Sequence, residues 1–266
     1  MQIPDDMAET LEVWDKYFPM PYDDAMAMLS RDMPPGLEVK ITLDPDGKGA
    51  ISVGVYPPET ISDERKFDCR TGTINEGMMI LAHNERKHGL GRKLMRNEIE
   101  LFYMSGFKKF EIHAASSAGA YTWARFGFLP TSYGFASKLL TRYGEIAPLL
   151  APGPRKELLK AVKERDVWAL ADMREDISQR LSTTFKKYAD KYADDTPYTN
   201  EVVHCATEGR PLPLGKAMLA GLVWDGVLDF DNKTQMQRAD AYVGGINLVR
   251  AKKPAKQKPT KQRFKP

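Results

Sequence analysis

The sequence has few cysteines, no long apolar run and almost no net charge. Two cysteines among 266 residues are too few for a disulfide framework, which favours a reducing compartment. No apolar run approaches the roughly 18 residues that cross a bilayer, and no charged-then-apolar signal opens the chain. The 42% apolar and 28% charged shares are typical of a globular protein. We therefore expect a cytoplasmic protein with no membrane partner.

The net charge is small, but the charged residues are unevenly distributed along the chain. Lys and Arg number 39 against 36 Asp and Glu, so bulk charge does not indicate nucleic-acid binding. Eight of the basic residues and no acidic one lie in 250–266, which leaves the preceding chain with a net charge of −5. A segment rich in Lys, Pro and Gln cannot bury enough apolar surface to fold alone. We expect a disordered basic tail, either free in solvent or bound to nucleic acid or another anionic partner.

The hydrophobic pattern predicts an α/β chain. The first 35 residues mix apolar and acidic residues, which predicts one or two short helices, broken near Pro19–Pro21 and stopped at Pro34–Gly36. Leu37–Leu43 and Ala50–Tyr56 are apolar, partly β-branched runs typical of strands. Asp44–Gly47 between them predicts a hairpin turn, because Pro fixes φ and Gly supplies a positive φ.

Further elements follow in the middle of the chain. A strand is predicted within Phe67–Ile74, and the apolar run Met78–Ala82 predicts a buried strand. An amphipathic helix then extends to about Met104, with Asn97 on its outer face. The strand Phe107–Ala115 follows, and its alternation places Lys109, Glu111 and His113 on one side.

The carboxy-terminal half is predicted to be mainly helical. Asp225–Gly226 between two apolar runs predicts a second hairpin, and a helix is expected over about Thr234–Tyr242. The expected segments are an amino-terminal helical segment (1–36), a core (37–150), a helical hairpin insertion (151–200), a hairpin and helix that complete the core (201–249), and the basic tail (250–266).

The motif Arg86-x-x-Gly89-x-Gly91 lies between the buried strand and the amphipathic helix. Glycines there let the backbone adopt a positive φ and approach a ligand closely. The free N–H groups and the dipole of the helix favour an anion, and Lys87 and Arg92 add positive charge. This pattern predicts a pyrophosphate cradle, although the three-glycine dinucleotide motif and the P-loop motif are both absent.

Residues 78–130 resemble the coenzyme A-binding core of the GNAT superfamily of N-acyltransferases. The resemblance rests on the glycine loop between strand and helix, on the following strand, and on the aromatic-Gly-Phe signature Trp123–Phe128. It implies a GNAT-like mixed twisted sheet flanked by helices, within the α/β (α+β) class. It also implies an acyl-CoA-dependent N-acyltransferase that takes acetyl-CoA as co-substrate and an amine as acceptor.

The resemblance further implies where the co-substrate binds. Acyl-CoA would lie between the strands Met78–Ala82 and Phe107–Ala115, and a backbone N–H there would polarise the thioester carbonyl. The implied cofactor-binding residues are Ile80, Leu81, Ala82, Arg86, Lys87, His88, Gly89, Leu90, Gly91 and Arg92.

Four residues are candidates for catalysis. Glu76 stands where some family members hold a water-activating acid. His83 and His113 lie on the two strands of the implied gap, and histidine titrates near neutral pH. The family often has Tyr where this chain has Trp123, whose indole N–H does not give up its proton near neutral pH. Tyr121, two residues earlier, is the nearest hydroxyl of that kind, and each candidate has an alternative as a solvated or packed side chain.

The departure at Trp123 leaves an alternative function open. A catalytically degenerate GNAT-like protein would act as a phage virion or DNA-associated component, with the tail 250–266 on nucleic acid. Such a protein would reside in the host cytoplasm or in the virion. A third option is acyl transfer to a nucleobase or nucleotide, which requires aromatic stacking in the acceptor pocket.

Overall fold

A computed structural model describes residues 5–55, 61–81, 89–114, 119–181 and 210–248. In these ranges the chain forms seven strands and a larger number of helices, which agrees with the predicted α/β class. The chain divides into two compact units, one of residues 1–108 with 245–266 and the other of residues 109–244. No helix in the described ranges is long and apolar enough to cross a bilayer.

The first unit contains an antiparallel meander of four strands preceded by two helices. The strands pair in chain order, each antiparallel to the next. Both amino-terminal helices and the β1–β2 hairpin agree with the sequence predictions. The elements are α1 (Asp5–Tyr17), α2 (Tyr22–Ser30), β1 (Leu37–Leu43), β2 (Lys48–Val55), β3 (Ile61–Asp68), β4 (Thr73–Leu81) and α3 (Leu90–Met104).

The strand predicted within Phe67–Ile74 is wrong, because the chain turns there. The Asp68 carboxylate accepts hydrogen bonds from the Arg70 and Thr71 amides at 2.8 and 3.4 Å. Gly72 adopts a φ of 66° and completes the turn. The two apolar residues at the ends of the predicted strand therefore belong to different strands, β3 and β4.

Aromatic rings fill the core of the first unit. Trp14 of α1 and Phe18, the residue after the helix, stack with centroids 3.9 Å apart. Phe102 of α3 lies edge-on to Phe107 at 4.9 Å and to Phe67 of β3 at 5.7 Å. Aromatic contacts of this geometry add to the stabilisation from buried area, so the sheet, α1 and α3 share one core.

Polar side chains of α3 hold the end of α2. Asn97 is fully buried, so the prediction that it faces outward is wrong. Its Nδ2 donates to the carbonyls of Leu29 and Arg31 at 3.1 and 2.7 Å. The last carbonyls of a helix have no partner within that helix, and Asn97 supplies one. Arg31 also binds Glu100 of α3 at 2.7 Å, and this carboxylate raises the pKa of Arg31.

A buried arginine joins β3 to α3. Arg65 Nη1 lies 2.7 Å from Asp63 Oδ1, and Arg65 Nε lies 3.2 Å from Glu98 Oε2. All three side chains have 0% exposure. The cluster thus contains one cation and two carboxyl groups in a place that water does not reach. Removing the guanidinium would leave both carboxyl groups buried without their cation.

We expect Arg65→Ala to destabilise the protein by about 3–5 kcal/mol in urea unfolding, because buried carboxyl groups lose their counter-charge. Lys66→Ala is the matched control on the next residue, whose side chain is 72% exposed. The control should change the free energy of unfolding by no more than about 0.5 kcal/mol. Equal effects of the two substitutions would contradict the structural role of Arg65.

The second unit is built around a three-stranded antiparallel sheet in which β7 lies between β5 and β6. A 3₁₀ turn, Ala147–Leu149, lies between two of its helices. Its elements are β5 (Lys109–Ala114), α4 (Gly119–Arg125), β6 (Leu129–Pro130), α5 (Phe135–Ile146), α6 (Pro152–Glu164), α7 (Val167–Asp172), α8 (Leu214–Leu219), β7 (Trp224–Asp229) and α9 (Lys233–Val243).

The hairpin predicted at Asp225–Gly226 is wrong, because both residues lie inside β7. Gly226 pairs with Ile112 of β5 and with Pro130 of β6. A Cβ at position 226 would overlap Cζ3 of Trp224, so the indole ring occupies the space of a side chain. Glycine is needed here for close packing and not for a turn.

The aromatic-Gly-Phe signature has a packing role. Gly127 has a φ of 94°, and a Cβ there would lie 2.7 Å from the backbone oxygen of Gln235 in α9. The buried Gln235 side chain donates to the carbonyls of Gly127 and Val227 at 3.1 and 2.8 Å. The signature therefore brings α9, predicted at about Thr234–Tyr242, against the sheet.

The predicted helical insertion is described only in its first half. α6 ends at Glu164, Arg165 turns the chain with a φ of 55°, and α7 follows. The second arm of the predicted helical hairpin falls largely within 182–209, outside the described residues. The basic tail 250–266 also lies outside them.

Candidate functional site

The start of α3 has the backbone conformation that the glycine motif predicts. Gly89 directly precedes the helix in the left-handed region, with φ 71° and ψ 11°. The amides of Arg92 and Lys93 donate to the Gly89 carbonyl at 3.0 and 3.1 Å, which closes the first helical turn on this glycine. The predicted order of strand, glycine and amphipathic helix is thus present in the first unit.

Positive charge surrounds this helix start. The guanidinium of Arg92 folds over Gly89, with Nη2 3.2 Å from the position that a Cβ on residue 89 would take. Arg92 and Lys93 are exposed, and the first turn of α3 contains no acidic residue. The helix dipole and the two cations together favour an anion at this point.

The other implied cofactor-binding residues are only partly described. Leu90 is buried and anchors the helix, whereas Gly91 is half-buried. Ile80 and Leu81 lie at the end of β4, where they pair with Ser62 and Ile61 of β3. Outside the described residues lie Ala82, Arg86, Lys87 and His88, together with the catalytic candidate His83.

β4 contains an irregularity beside the candidate Glu76. Glu76 pairs with Arg65 and Met78 pairs with Glu64, so Gly77 is the extra residue of a β-bulge. Bulges re-aim the residues around them and are frequent next to active sites. The bulge lies in β4, the strand that precedes Gly89 in the chain.

His113 forms a pair with an aspartate in the second unit. His113 on β5 lies directly opposite Asp225 on β7, with Nδ1 2.7 Å from Asp225 Oδ1. The two side chains are 62% and 60% exposed. A carboxylate at Nδ1 favours the tautomer with the proton on that nitrogen, which leaves the lone pair of Nε2 directed away from it. Such a pair has the composition of a general base with its orienting group.

Sequence reasoning missed Asp225 as a partner of His113. The Asp-Gly dipeptide was the stronger local signal and predicted a turn. The alternation of Trp224, Gly226 and Leu228 with exposed Asp225 and Asp229 is the signal that would have predicted a strand. Even with the strand assigned, the pairing register was needed to place Asp225 opposite His113.

The aromatic residues of α4 occupy different environments. Tyr121 is 9% exposed, and its hydroxyl accepts a hydrogen bond from Arg174 Nη1 at 3.2 Å. Trp123 is 5% exposed and packs on Phe126 and Phe128, with centroid distances of 5.6 and 5.2 Å. Tyr121 therefore has a cationic neighbour, whereas Trp123 belongs to the core.

A groove of about 600 Å³ lies elsewhere in the first unit. It opens near Asn75, toward the start of β4, whereas Gly89 follows the end of that strand. A cross-strand row of Thr42, Ala50, Lys66 and Asn75 forms part of its lining. The groove is distinct from the predicted cradle.

Neither a metal centre nor a reactive thiol is found among the described residues. No group of three His, Cys, Asp or Glu side chains there is placed to hold a metal ion. Burial, with smaller contributions from the charges of Asp68 and Asp44, raises the pKa of Cys69 to about 12. Because the thiolate is the nucleophile, Cys69 is inert at neutral pH.

We expect Cys69 to react slowly with a small disulfide reagent at pH 7. Raising the pKa from 9.0 to about 12 lowers the thiolate fraction roughly a thousandfold. The measurement compares the labelling rate of the Cys205→Ser variant in its folded state with its rate in urea. The double variant Cys69→Ser/Cys205→Ser, which has no thiol, is the blank. Equal labelling rates in the folded and unfolded chain would contradict the burial of this thiol.

Comparison with known proteins yields no match: no family model fits the chain, and no curated protein is similar to it. The GNAT resemblance therefore rests on the sequence of residues 78–130 alone.

Proposed function

We propose that the protein is an acyl-CoA-dependent N-acyltransferase that uses acetyl-CoA. The observation that carries the proposal is the left-handed Gly89 at the start of α3, beside the cations Arg92 and Lys93. The helix dipole and the positive side chains together suit a pyrophosphate. The backbone near Ile80–Ala82 would then pair with the pantetheine arm, as the family resemblance implies.

The proposed reaction is direct attack of an amine on the thioester. The amine nitrogen forms a bond to the acyl carbon, the carbon–sulfur bond breaks, and the coenzyme leaves as a thiolate that takes up a proton. A backbone N–H near Ile80–Ala82 would stabilise the charge on the carbonyl oxygen. The amine proton passes to a base, and the family resemblance implies His113 as one candidate for it. Within the second unit, Asp225 orients this imidazole through Nδ1.

The donor site is tested by calorimetry with acetyl-CoA. We expect binding by the native chain, and about tenfold weaker binding by Arg92→Gln, because a charge-assisted hydrogen bond to phosphate is lost. Arg70→Gln is the matched control, since Arg70 is an exposed arginine at a turn of the same unit. If acetyl-CoA gives no heat with the native chain, the proposal fails and the alternative of a degenerate GNAT-like phage component is favoured.

The base is tested by release of free thiol with a panel of amines. We expect His113→Gln to lower kcat/KM about a hundredfold or more, with acetyl-CoA affinity unchanged, because only proton transfer is affected. Asp225→Asn should lower it less, since the imidazole remains but loses its orienting carboxylate. Asp229→Asn, on the same face of β7, is the matched control and should have native kinetics. Native turnover by His113→Gln would remove this residue from the mechanism.

The alternative function has one structural observation in its favour. Trp123, which stands at the usual Tyr position, packs in the core and offers no acidic hydroxyl. A chain that binds acetyl-CoA but releases no thiol with any amine would fit this alternative. The tail 250–266 would then supply the contact with nucleic acid.

A further inference from the structure

Arginine and aromatic side chains are interleaved on one part of the second unit. They come from α4, α7, α9 and the segment after α7, and they touch one another through ring faces, hydroxyl and carbonyl groups. We call this group the arginine–aromatic cluster. Its members are Tyr121, Arg125, Trp168, Arg174, Arg238 and Tyr242.

One arginine of the cluster has a structural role. Arg238 binds both carboxylate oxygens of Asp172, at 2.9 and 3.0 Å. It also donates to the carbonyls of Ala124 and Trp168, both at 3.3 Å, and lies over the Trp168 ring. Arg238 and Asp172 therefore balance each other's charge, and the arginine ties α9 to the ends of α4 and α7.

Within the part of the chain that the structure describes, ring contacts alone hold Arg125. Its Cζ lies 4.3 Å from the ring centroid of Tyr242 and 5.8 Å from that of Tyr121. Among the described residues no carboxylate lies within 4.0 Å of it and no acceptor takes its hydrogen bonds. A guanidinium that stacks on a ring uses its face, and the N–H groups at its edge stay available. Arg125 thus presents a half-buried set of donors that an external anion can satisfy.

Arg174 adds a second cation at the same tyrosine. Its Nη1 donates to the Tyr121 hydroxyl at 3.2 Å, while its distance to the Asp172 carboxylate is a loose 3.9 Å. The side chain is 53% exposed. The charge of Asp172 is already balanced by Arg238. The charges of Arg125 and Arg174 therefore remain as a local excess of positive charge. This excess is notable in a chain whose first 249 residues carry a net charge of −5.

We propose that the arginine–aromatic cluster binds single-stranded nucleic acid, with Arg125 and Arg174 on phosphate groups. Planar guanidinium forks match phosphate oxygens, and unpaired bases stack on aromatic rings and on guanidinium planes. An acidic peptide would satisfy the charges but would bring no planar rings to the Arg125 and Tyr242 surface. The proposal depends neither on acyl transfer nor on the tail 250–266.

The test is fluorescence anisotropy with labelled oligothymidine of about 15 nucleotides and the full chain over a range of salt. We expect Arg125→Gln and Arg174→Gln each to weaken binding about tenfold, since each removes a charge-assisted contact. Each should also lower the slope of log affinity against log salt by about 0.7. Lys156→Gln, an exposed lysine on α6, is the control of equal charge change and should bind as the native chain does.

Two further variants protect the test against misfolding. Arg174→Gln removes a half-exposed side chain, so its thermal unfolding should match the native chain, and Arg125→Lys keeps the charge and should lose less affinity than Arg125→Gln. Binding that persists unchanged in both glutamine variants would assign it to the tail and overturn the proposal. Absence of oligothymidine binding at low salt would also overturn the proposal. So would displacement of the labelled oligothymidine by polyglutamate as effectively as by unlabelled oligothymidine.

Discussion

The position of α3 depends on one buried guanidinium. Arg65 on β3 contacts Glu98 on α3 at 3.2 Å in a place without solvent, where the attraction between charges is little screened. Sliding the helix along its axis would break this contact and leave carboxyl groups buried without their cation. Gly89 precedes Glu98 by about two and a half helical turns. The register that Arg65 imposes therefore also fixes the end of the helix at which we propose that pyrophosphate binds.

The polar side of α3 explains why its outer face was misjudged from the sequence. Asn97 and Glu100 fall among charged residues, which predicts a solvated face. In the structure, Asn97 donates hydrogen bonds to carbonyls at the end of α2, and Glu100 accepts one from the Arg31 side chain. An amphipathic pattern separates apolar from polar residues, but it cannot distinguish water from another helix's unsatisfied carbonyls. The interior of this unit is consequently more polar than its hydrophobic pattern implies.

Sequence patterns predicted the elements whose cause is local. The β1–β2 turn, α3 and the alternation of β5 follow from residues next to each other in the chain. The prediction of a turn at Asp225–Gly226 failed because glycine is needed there for another reason. The ring of Trp224 occupies the space that a side chain at position 226 would take. The turn after Asp68 was not predicted, because the apolar residues on its two sides look like one strand but belong to two. In the first unit, Gly89 could be predicted from the motif. In the second unit, the pairing of Asp225 with His113 could not, because it required the register of β5 and β7.

The exposure of His113 and Asp225 determines what their pair can do. At 62% and 60% exposure, water screens the charges, so the carboxylate contributes orientation more than energy. A ligand that covered the pair would exclude this water and strengthen the same interaction without moving either side chain. The pair would then be an ordinary surface contact in the free protein and a directed base beneath a bound amine. Its chemistry therefore depends on the acceptor that covers it.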